Sequence, residues 1–368
     1  MQELTGYVRS FSGRRILLIG DLILDRYIYG DAERISPEAP VPVLRVVEKR
    51  EAVGGSANVA SCLVALGVRV VCCGVIGRDR DGETLTALLE ELGTDTSALM
   101  SLADRPTTTK TRLVGLAQHR HRQQLLRVDE EDVSPLPADC AQKLIELARA
   151  HVAQADVICI EDYDKGIVTE SLVSAVVQEA RRAGRPVFVD PARLTDYQRY
   201  AGADILTPNR QELSIVSGRA LDSLDEVAKA ARTLLEKVDA RAIVTTVDRD
   251  GAVLVDRVND WQHLPTVPRS VYDNTGAGDA VLAMLAAATA SGADLVSAVR
   301  LANVAGGLEV ERFGCVPITA EEILAELRLE DRLANGKLRS VEDLSGELAL
   351  RRDRGETVLF THGCYALL

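Results

Sequence analysis

The heptapeptide RILLIGD, residues 15–21, is a short, continuous apolar run of strand length that closes on Gly20 and Asp21. Similar runs recur along the chain: VRVVCCGVIG (68–77), ADVICIEDY (155–163), RPVFVDP (185–191), ADILTPN (203–209) and RAIVTTVDRDGAVLVD (241–256). Between them, residues 82–92, 141–153, 170–183 and 224–238 carry apolar side chains at three and four spacing, which predicts helices. Gly93 and Gly184 follow two of these segments, as helix ends favour. Short β-branched runs alternating with amphipathic ones predict an α/β fold, a mostly parallel sheet covered by helices.

Two segments break the rhythm. Residues 26–53 and 106–132 are Pro-punctuated or alternating and lack helix-length periodicity. They read as a small antiparallel sheet inserted into the α/β body, a lid or a dimer surface. Beyond about residue 327 the chain turns charge-dense and Gly-interrupted, a linker with one helix over 329–356, before a strand-like end at 357–368.

Bulk composition excludes several functions. With 43 Lys and Arg against 55 Asp and Glu, the net charge of -12 disfavours an electrostatic grip on nucleic acid or anionic lipid, so any basic site is local. The seven cysteines, Cys62, Cys72, Cys73, Cys140, Cys159, Cys315 and Cys364, form no CxxC pair, and five sit in apolar runs as buried thiols do. The first residues lack the apolar core of a secretory signal, and no apolar stretch of about 18 residues occurs, so a cytoplasmic protein with no membrane partner is expected.

The octet DNTGAGDA (273–280) precedes a long apolar run. Gly276 and Gly278 permit close backbone approach, and successive amides at a helix start form an anion nest. Asp279 would then lie in the first turn, placed to take a proton from a hydroxyl attacking a phosphoryl group. On the octet alone an equally simple reading stands: a tight turn and an acidic first turn that start a buried helix.

Read together with GGSANVA (54–60), the octet resembles the paired signatures of the ribokinase-like (PfkB-type) carbohydrate kinases, and the resemblance runs from about residue 14 to 327. The departures are Asn274 and Ala280, outside the Gly-Ala-Gly-Asp core. The resemblance implies a ribokinase-like αβα sandwich with a small inserted β-sheet lid, a kinase domain over 12–328, and homodimers formed through the lid. It makes Asp279 the general base and the amides of Gly276, Ala277 and Gly278 the anion hole. Asp21, Gly54, Gly55 and Asn58 become sugar contacts, where Asp21 as a turn cap and the glycines as a plain helix start are the local alternatives. TPNRQE (207–212) resembles the Asn-x-x-Glu motif, in which Asn209 and Glu212 organise water and Mg2+ beside ATP; Glu212 otherwise reads as a solvated helix residue. Thr245, Gly251 and Asn303 resemble nucleotide contacts, against a hairpin turn at Asp250-Gly251 and an Asn303 satisfied within helix packing. A monovalent cation is compatible with the family.

LDRYIYGDAERISPEAPVPVLRV (24–46), RPTTTKTRLV (105–114), QQLLRVDEED (123–132), EDYDKG (161–166) and ERFGC (311–315) narrow the resemblance to D-glycero-D-manno-heptose 7-phosphate kinases. Such enzymes phosphorylate O1 of the heptose with ATP. A phosphorylated sugar calls for cations, and Lys110, Arg112, Arg120, Arg122, Arg127 and Lys165 are the candidates, with Lys110 and Lys165 at family-matched positions. HRHR (119–122) reads as a solvated strand rather than a metal site. Relatives often carry Asp-Pro-Lys where this chain has Ala192 and Arg193 after Asp190-Pro191. Residues 357–368 resemble the first strand of the nucleotidylyltransferase half of a bifunctional heptose enzyme, with Tyr365-Ala366 for the usual Phe-Asp and no His-x-Gly-His motif, so no transferase activity is expected of them. Two rival readings are another PfkB-type sugar kinase and a catalytically idle sugar or nucleotide sensor.

Overall fold

In the computed structural model, which describes residues 2–117, 120–267, 269, 275–312, 314–334 and 341–359, Ile16 and Leu18 face one apolar core while Leu17 and Ile19 face another. A strand buried on both faces needs helices on both faces, and this one requirement organises the chain.

In chain order the strands are β1 (Arg15–Gly20), β2 (Leu22–Ile35), β3 (Pro42–Gly55), β4 (Arg69–Gly77), β5 (Asp95–Leu102), β6 (Thr109–Ala117), β7 (Arg120–Glu130), β8 (Val157–Glu161), β9 (Val187–Asp190), β10 (Ile205–Leu206), β11 (Ala242–Thr246), β12 (Ala252–Asp256) and β13 (Gln262–Leu264). The main sheet runs β13-β12-β11-β10-β9-β8-β1-β4-β5, parallel from β11 to β5, with β12 and β13 added antiparallel at one edge.

The helices are α1 (Gln2–Arg9), α2 (Ser56–Ala65), α3 (Arg80–Glu91), α4 (Ala138–Val152), α5 (Glu170–Ala183), α6 (Arg210–Ser217), α7 (Leu224–Lys237), α8 (Ala277–Ala290), α9 (Leu295–Glu309), α10 (Ala320–Ala334) and α11 (Val341–Asp353). One face of the sheet packs on α1, α2, α3, α8, α9 and α10, and the other on α4 to α7. The result is the expected αβα sandwich. The predicted ends of α5 match, and Gly184 closes that helix with φ 66°. β5, β13 and α1 had no sequence signal. β5 is an edge strand with one fully buried side chain, Ala98, so it lacks a continuous apolar run. α1 has only Leu4 and Val8 to insert, yet they join the same core as Ile323 and Leu327 of α10.

The second sheet has the order β3-β2-β6-β7. It corrects the antiparallel expectation: its outer pairs are antiparallel hairpins, but β2 and β6 run parallel from Leu24↔Thr109 to Gly30↔Gly115. The cause is topological. β2 follows β1 and β6 follows β5, two parallel strands, so both leave the carboxyl edge of the main sheet in the same sense.

Cys62, Cys72, Cys73 and Cys159 are buried, Cys140 and Cys315 are partly exposed, and Cys364 lies outside the described residues. No helix among the described residues is long and apolar enough to cross a membrane.

Because Leu17 is fully buried in the central strand, Leu17→Ala is expected to lower unfolding free energy by about 2–5 kcal/mol. The midpoint of urea denaturation measures it, and a shift corresponding to less than about 1 kcal/mol would mean that β1 is not the packed centre.

Candidate active site

Strand order reverses between β1 and β8: the chain goes from β1 to β4 and β5 on one side, and from β8 to β9 and β10 on the other. In open α/β sheets such a point leaves a crevice at the carboxyl ends of the strands. Asp21 follows β1, Glu161 ends β8 and Asp190 ends β9, so three carboxylates arrive at that crevice by topology alone. The N-terminus of α8 lies over it, opened by Gly276 in the left-handed region at φ 91°. A Cβ at Gly276 would stand 3.0 Å from Glu309 Oε1, 3.1 Å from Cys315 Sγ and 3.2 Å from Asn58 Nδ2, so the turn needs glycine for both dihedral and space. The first amides of the helix, those of Ala277 and Gly278 among them, have no carbonyl within the helix to bond.

Asp279, in that first turn, is buried. Its Oδ2 accepts from Asn58 Nδ2 at 2.5 Å and its Oδ1 from the Tyr163 hydroxyl at 3.1 Å. Burial pushes its carboxyl up to about 6; the bonds from Asn58 and Tyr163 pull against that rise, the nearby Asp25 adds to it, and Lys110 opposes it. A carboxylate in that range is a competent base near neutral pH.

One oxygen from each of Glu161, Asp190 and Asp279 lies within 4.8 Å of the others. Burial, then repulsion among the acids, pushes Glu161 and Asp190 far above the usual carboxylate range, and Glu161 Oε2 is buried without a hydrogen-bond partner. A hard divalent cation fits this oxygen-rich, under-neutralised set. The Asn-x-x-Glu motif turns out to be a capping box of α6: Asn209 Oδ1 accepts from the Glu212 amide and Glu212 Oε2 accepts from the Asn209 amide, both at 2.9 Å. Glu212 nonetheless lines the same cavity as the three acids, and burial raises its carboxyl while Asn209 and Arg193 pull it back.

Two cavities meet at Gly278, Asn209 and Arg193. One, of about 440 Å³, contains Glu161, Asp190, Glu212, Gly276 and Asp279; the other, of about 880 Å³, is lined by Thr246, Gly251, Ala277, Asn303 and Gly307. Gly251 and Asn303 thus both line the larger cavity. Gly251 also serves its hairpin, at φ 93° with Leu264 O only 2.3 Å from where a Cβ would be, and Asn303 Nδ2 donates to Leu264 O at 2.7 Å. Thr245 is fully buried and lines neither cavity, whereas Thr246, on the other face of β11, lines both.

At the end of β1, Asp21 Oδ2 accepts from the amides of Tyr163 and Lys165 at 2.8 and 3.2 Å, while its Oδ1 is buried and unpartnered. Gly54 and Gly55 end β3 and lead into α2, which carries Asn58 in its first turn. Of the candidate cations, Arg112 pairs with Asp25 at 2.6 Å, Arg127 with Asp129 at 2.8 Å and Lys165 with Glu131 at 2.8 Å. Lys110 faces the Tyr163 ring, 5.3 Å from its centroid, and has no carboxylate within 4 Å among the described residues. His119, and the side chains of Arg120 and Arg122, lie outside the described residues. Tyr163, Glu161 and Asp190 had no assigned role in the sequence reading; the strand-terminal positions of the two acids were the available signal.

A buried carboxylate at a helix start, between an acidic pocket and a large groove, is an arrangement that suits phosphoryl transfer. The comparisons agree. The pfkB family carbohydrate kinase description matches residues 14–322, and the chain belongs to that family. It is 39% identical over 352 residues to the bifunctional protein HldE of Pelobacter propionicus, covering 96% of this chain and 71% of that protein. It is 40% identical over 362 residues to the HldE of Gluconacetobacter diazotrophicus, covering 98% and 74%. Among solved structures, Escherichia coli phosphofructokinase-2 in complex with potassium superposes with a TM-score of 0.70 at 21% identity, over 87% of this chain and 99% of that one. Arabidopsis thaliana ribokinase complexed with ribose and ATP gives 0.67 at 20%, over 86% and 99%. The fold is that of the ribokinase-like kinases, and the chain is a sugar kinase.

Gly276→Ala is expected to cost about 1–3 kcal/mol of stability, because the left-handed turn is strained for alanine and the methyl group meets Asn58 and Glu309. Thermal unfolding measures it; an unchanged midpoint would show that the turn relaxes without cost.

Proposed function

We propose that the chain transfers the γ-phosphoryl group of ATP to O1 of D-glycero-D-manno-heptose 7-phosphate, giving heptose 1,7-bisphosphate and ADP. The observation that carries the reading is Asp279, a buried carboxylate held between Asn58 and Tyr163 where the two cavities meet. The likeness to HldE proteins supports the heptose.

In this reading the large groove takes ATP, against Gly251, Asn303 and Thr246, and the acidic pocket takes the sugar C1 end. Asp279 accepts the O1 proton as O1 attacks the γ-phosphorus. The O1–P bond forms, the bond from the γ-phosphorus to the β,γ-bridging oxygen breaks, and the electron pair leaves with ADP. The amides of Gly276, Ala277 and Gly278 stabilise charge on the moving phosphoryl oxygens. Asp21 Oδ1 and Asn58 face the sugar hydroxyls, and Gly54 and Gly55 let the sugar approach the backbone. Lys110 grips the 7-phosphate, with Lys165 behind it. Glu161 and Asp190, with Glu212 and Asn209 beside them, would hold Mg2+, which when bound offsets the negative charge of the ATP phosphates.

The kinase domain is assigned to residues 12–328, the linker containing α11 to 329–356 and a separate segment to 357–368, in a cytoplasmic homodimer. The lid is the proposed contact because it exposes Ile35, Val46, Val47, Leu126 and Val128.

Asp279→Asn is expected to lower kcat about a thousandfold or more with ATP affinity kept. For the unaltered enzyme, kcat/KM should rise about tenfold per pH unit up to the Asp279 value of about 6 and level off above it, since the ionised form is the base. Near-normal kcat in Asp279→Asn would overturn the base. A panel of free and phosphorylated sugars with the product anomer read by phosphorus NMR tests the acceptor: turnover concentrated on heptose 7-phosphate is expected, turnover of another sugar names a different kinase, and none with any sugar leaves the sensor.

A further inference from the structure

We propose that Tyr163 is a positioning residue shared by the two ends of the acceptor site, its hydroxyl orienting the Asp279 carboxylate and its ring seating the Lys110 ammonium. The hydroxyl donates to Asp279 Oδ1 at 3.1 Å, and Lys110 Nζ lies 5.3 Å from the centre of the same ring. Asp279 comes from α8, Lys110 from lid strand β6 and Tyr163 from the loop after β8, so one side chain ties together three elements far apart in sequence.

The loop that carries Tyr163 is held from several directions. Asp21 Oδ2 accepts from the Tyr163 and Lys165 amides. Arg105 donates to the Lys165 carbonyl at 2.5 Å, reaching in from the segment before β6. Asp162 accepts from the Tyr200 hydroxyl at 2.6 Å and pairs with Arg199 at 3.2 Å. Asp164 takes φ 56°, a left-handed turn stabilised by its amide donating to Asp162 Oδ1 at 2.7 Å. A ring on so constrained a backbone is a fixed platform rather than a mobile gate.

The two contacts differ in their consequences. With Asn58 on Oδ2, the Tyr163 bond fixes the rotation of the carboxylate and hence which lone pair faces the attacking hydroxyl; loss of orientation is felt in the chemical step. The ring face attracts the ammonium and holds it where no carboxylate among the described residues lies within 4 Å of it, leaving its charge available to an anionic group. Loss of that seat is felt in binding.

The proposal rests on Asp279 as base and Lys110 as the phosphate grip, and the experiment separates the parts. In steady-state kinetics, Tyr163→Phe is expected to lower kcat about tenfold or more while the KM for the phosphorylated sugar stays within about twofold, since only the hydroxyl is lost. Fluorinated phenylalanines at position 163, close in shape to Phe, weaken the ring face stepwise; KM for the phosphorylated sugar is expected to climb with fluorination by about threefold to tenfold while kcat stays at the Tyr163→Phe level. Wild-type kcat in Tyr163→Phe overturns the orienting role, and a KM flat across the series overturns the seat. A merely structural tyrosine would shift kcat and KM together with thermal stability. If the unaltered enzyme phosphorylates no sugar phosphate, the acceptor reading and the Lys110 seat both fail, and Tyr163→Phe still tests the Asp279 half on the sugar the enzyme does use.

Discussion

Everything at the carboxyl edge of the sheet depends on keeping an acid ionisable inside the protein. A carboxylate taken out of water is unfavourable unless fixed donors replace the lost solvent. Asp279 has Asn58 on one oxygen, Tyr163 on the other and the amide end of α8 beneath it. Those donors come from three places: Asn58 from the helix that follows the lid strand β3, Tyr163 from the loop after β8, and the amides from α8 itself. Lid, sheet and helix layer must therefore all be in register for the acid to be supported, which makes the site a product of the whole fold.

The second constraint is charge. The chain has a net charge of -12, the pocket gathers Glu161, Asp162, Asp190, Glu212 and Asp279, and yet ATP and the sugar phosphate of the proposed reaction are both anions. Most nearby cations are committed: Arg112, Arg127 and Lys165 each face a carboxylate within 3 Å. Of the cations singled out in the sequence for a sugar phosphate, Lys110 has no carboxylate within 4 Å among the described residues, and a divalent cation beside Glu161 and Asp190 would offset the burial and mutual repulsion that push both toward their neutral forms.

Several motifs carry a local duty and a site position together. Asn209 and Glu212 cap α6 and also line the cavities; Gly251 makes the β11–β12 turn and faces the groove; Asn303 is satisfied by Leu264 O and still borders the same groove. The local and the functional readings of such residues are not rivals, because a cap or a tight turn is what fixes the side chain in place. Thr245 and Thr246 differ by one step along a strand, which reverses the side chain: the first is buried and the second borders the groove.

From the sequence by itself come the α/β class, most of the buried strands, the two lid segments and the glycine-framed start of α8, since each is written in local periodicity or in residues whose backbone freedom is local. The glycines and Asp279 were legible because a tight helix start needs small residues at fixed spacing. Tyr163, Glu161 and Asp190 were not legible as a constellation, because each lies in a different strand-to-loop junction and only the strand order brings the junctions together. The parallel pairing of β2 with β6, the carboxylate partners that neutralise three of the candidate cations, and the seating of Lys110 over the Tyr163 ring were likewise decided by tertiary structure. Contacts between residues more than a hundred positions apart, such as Tyr163 with Asp279, are set by topology, and no local pattern records them.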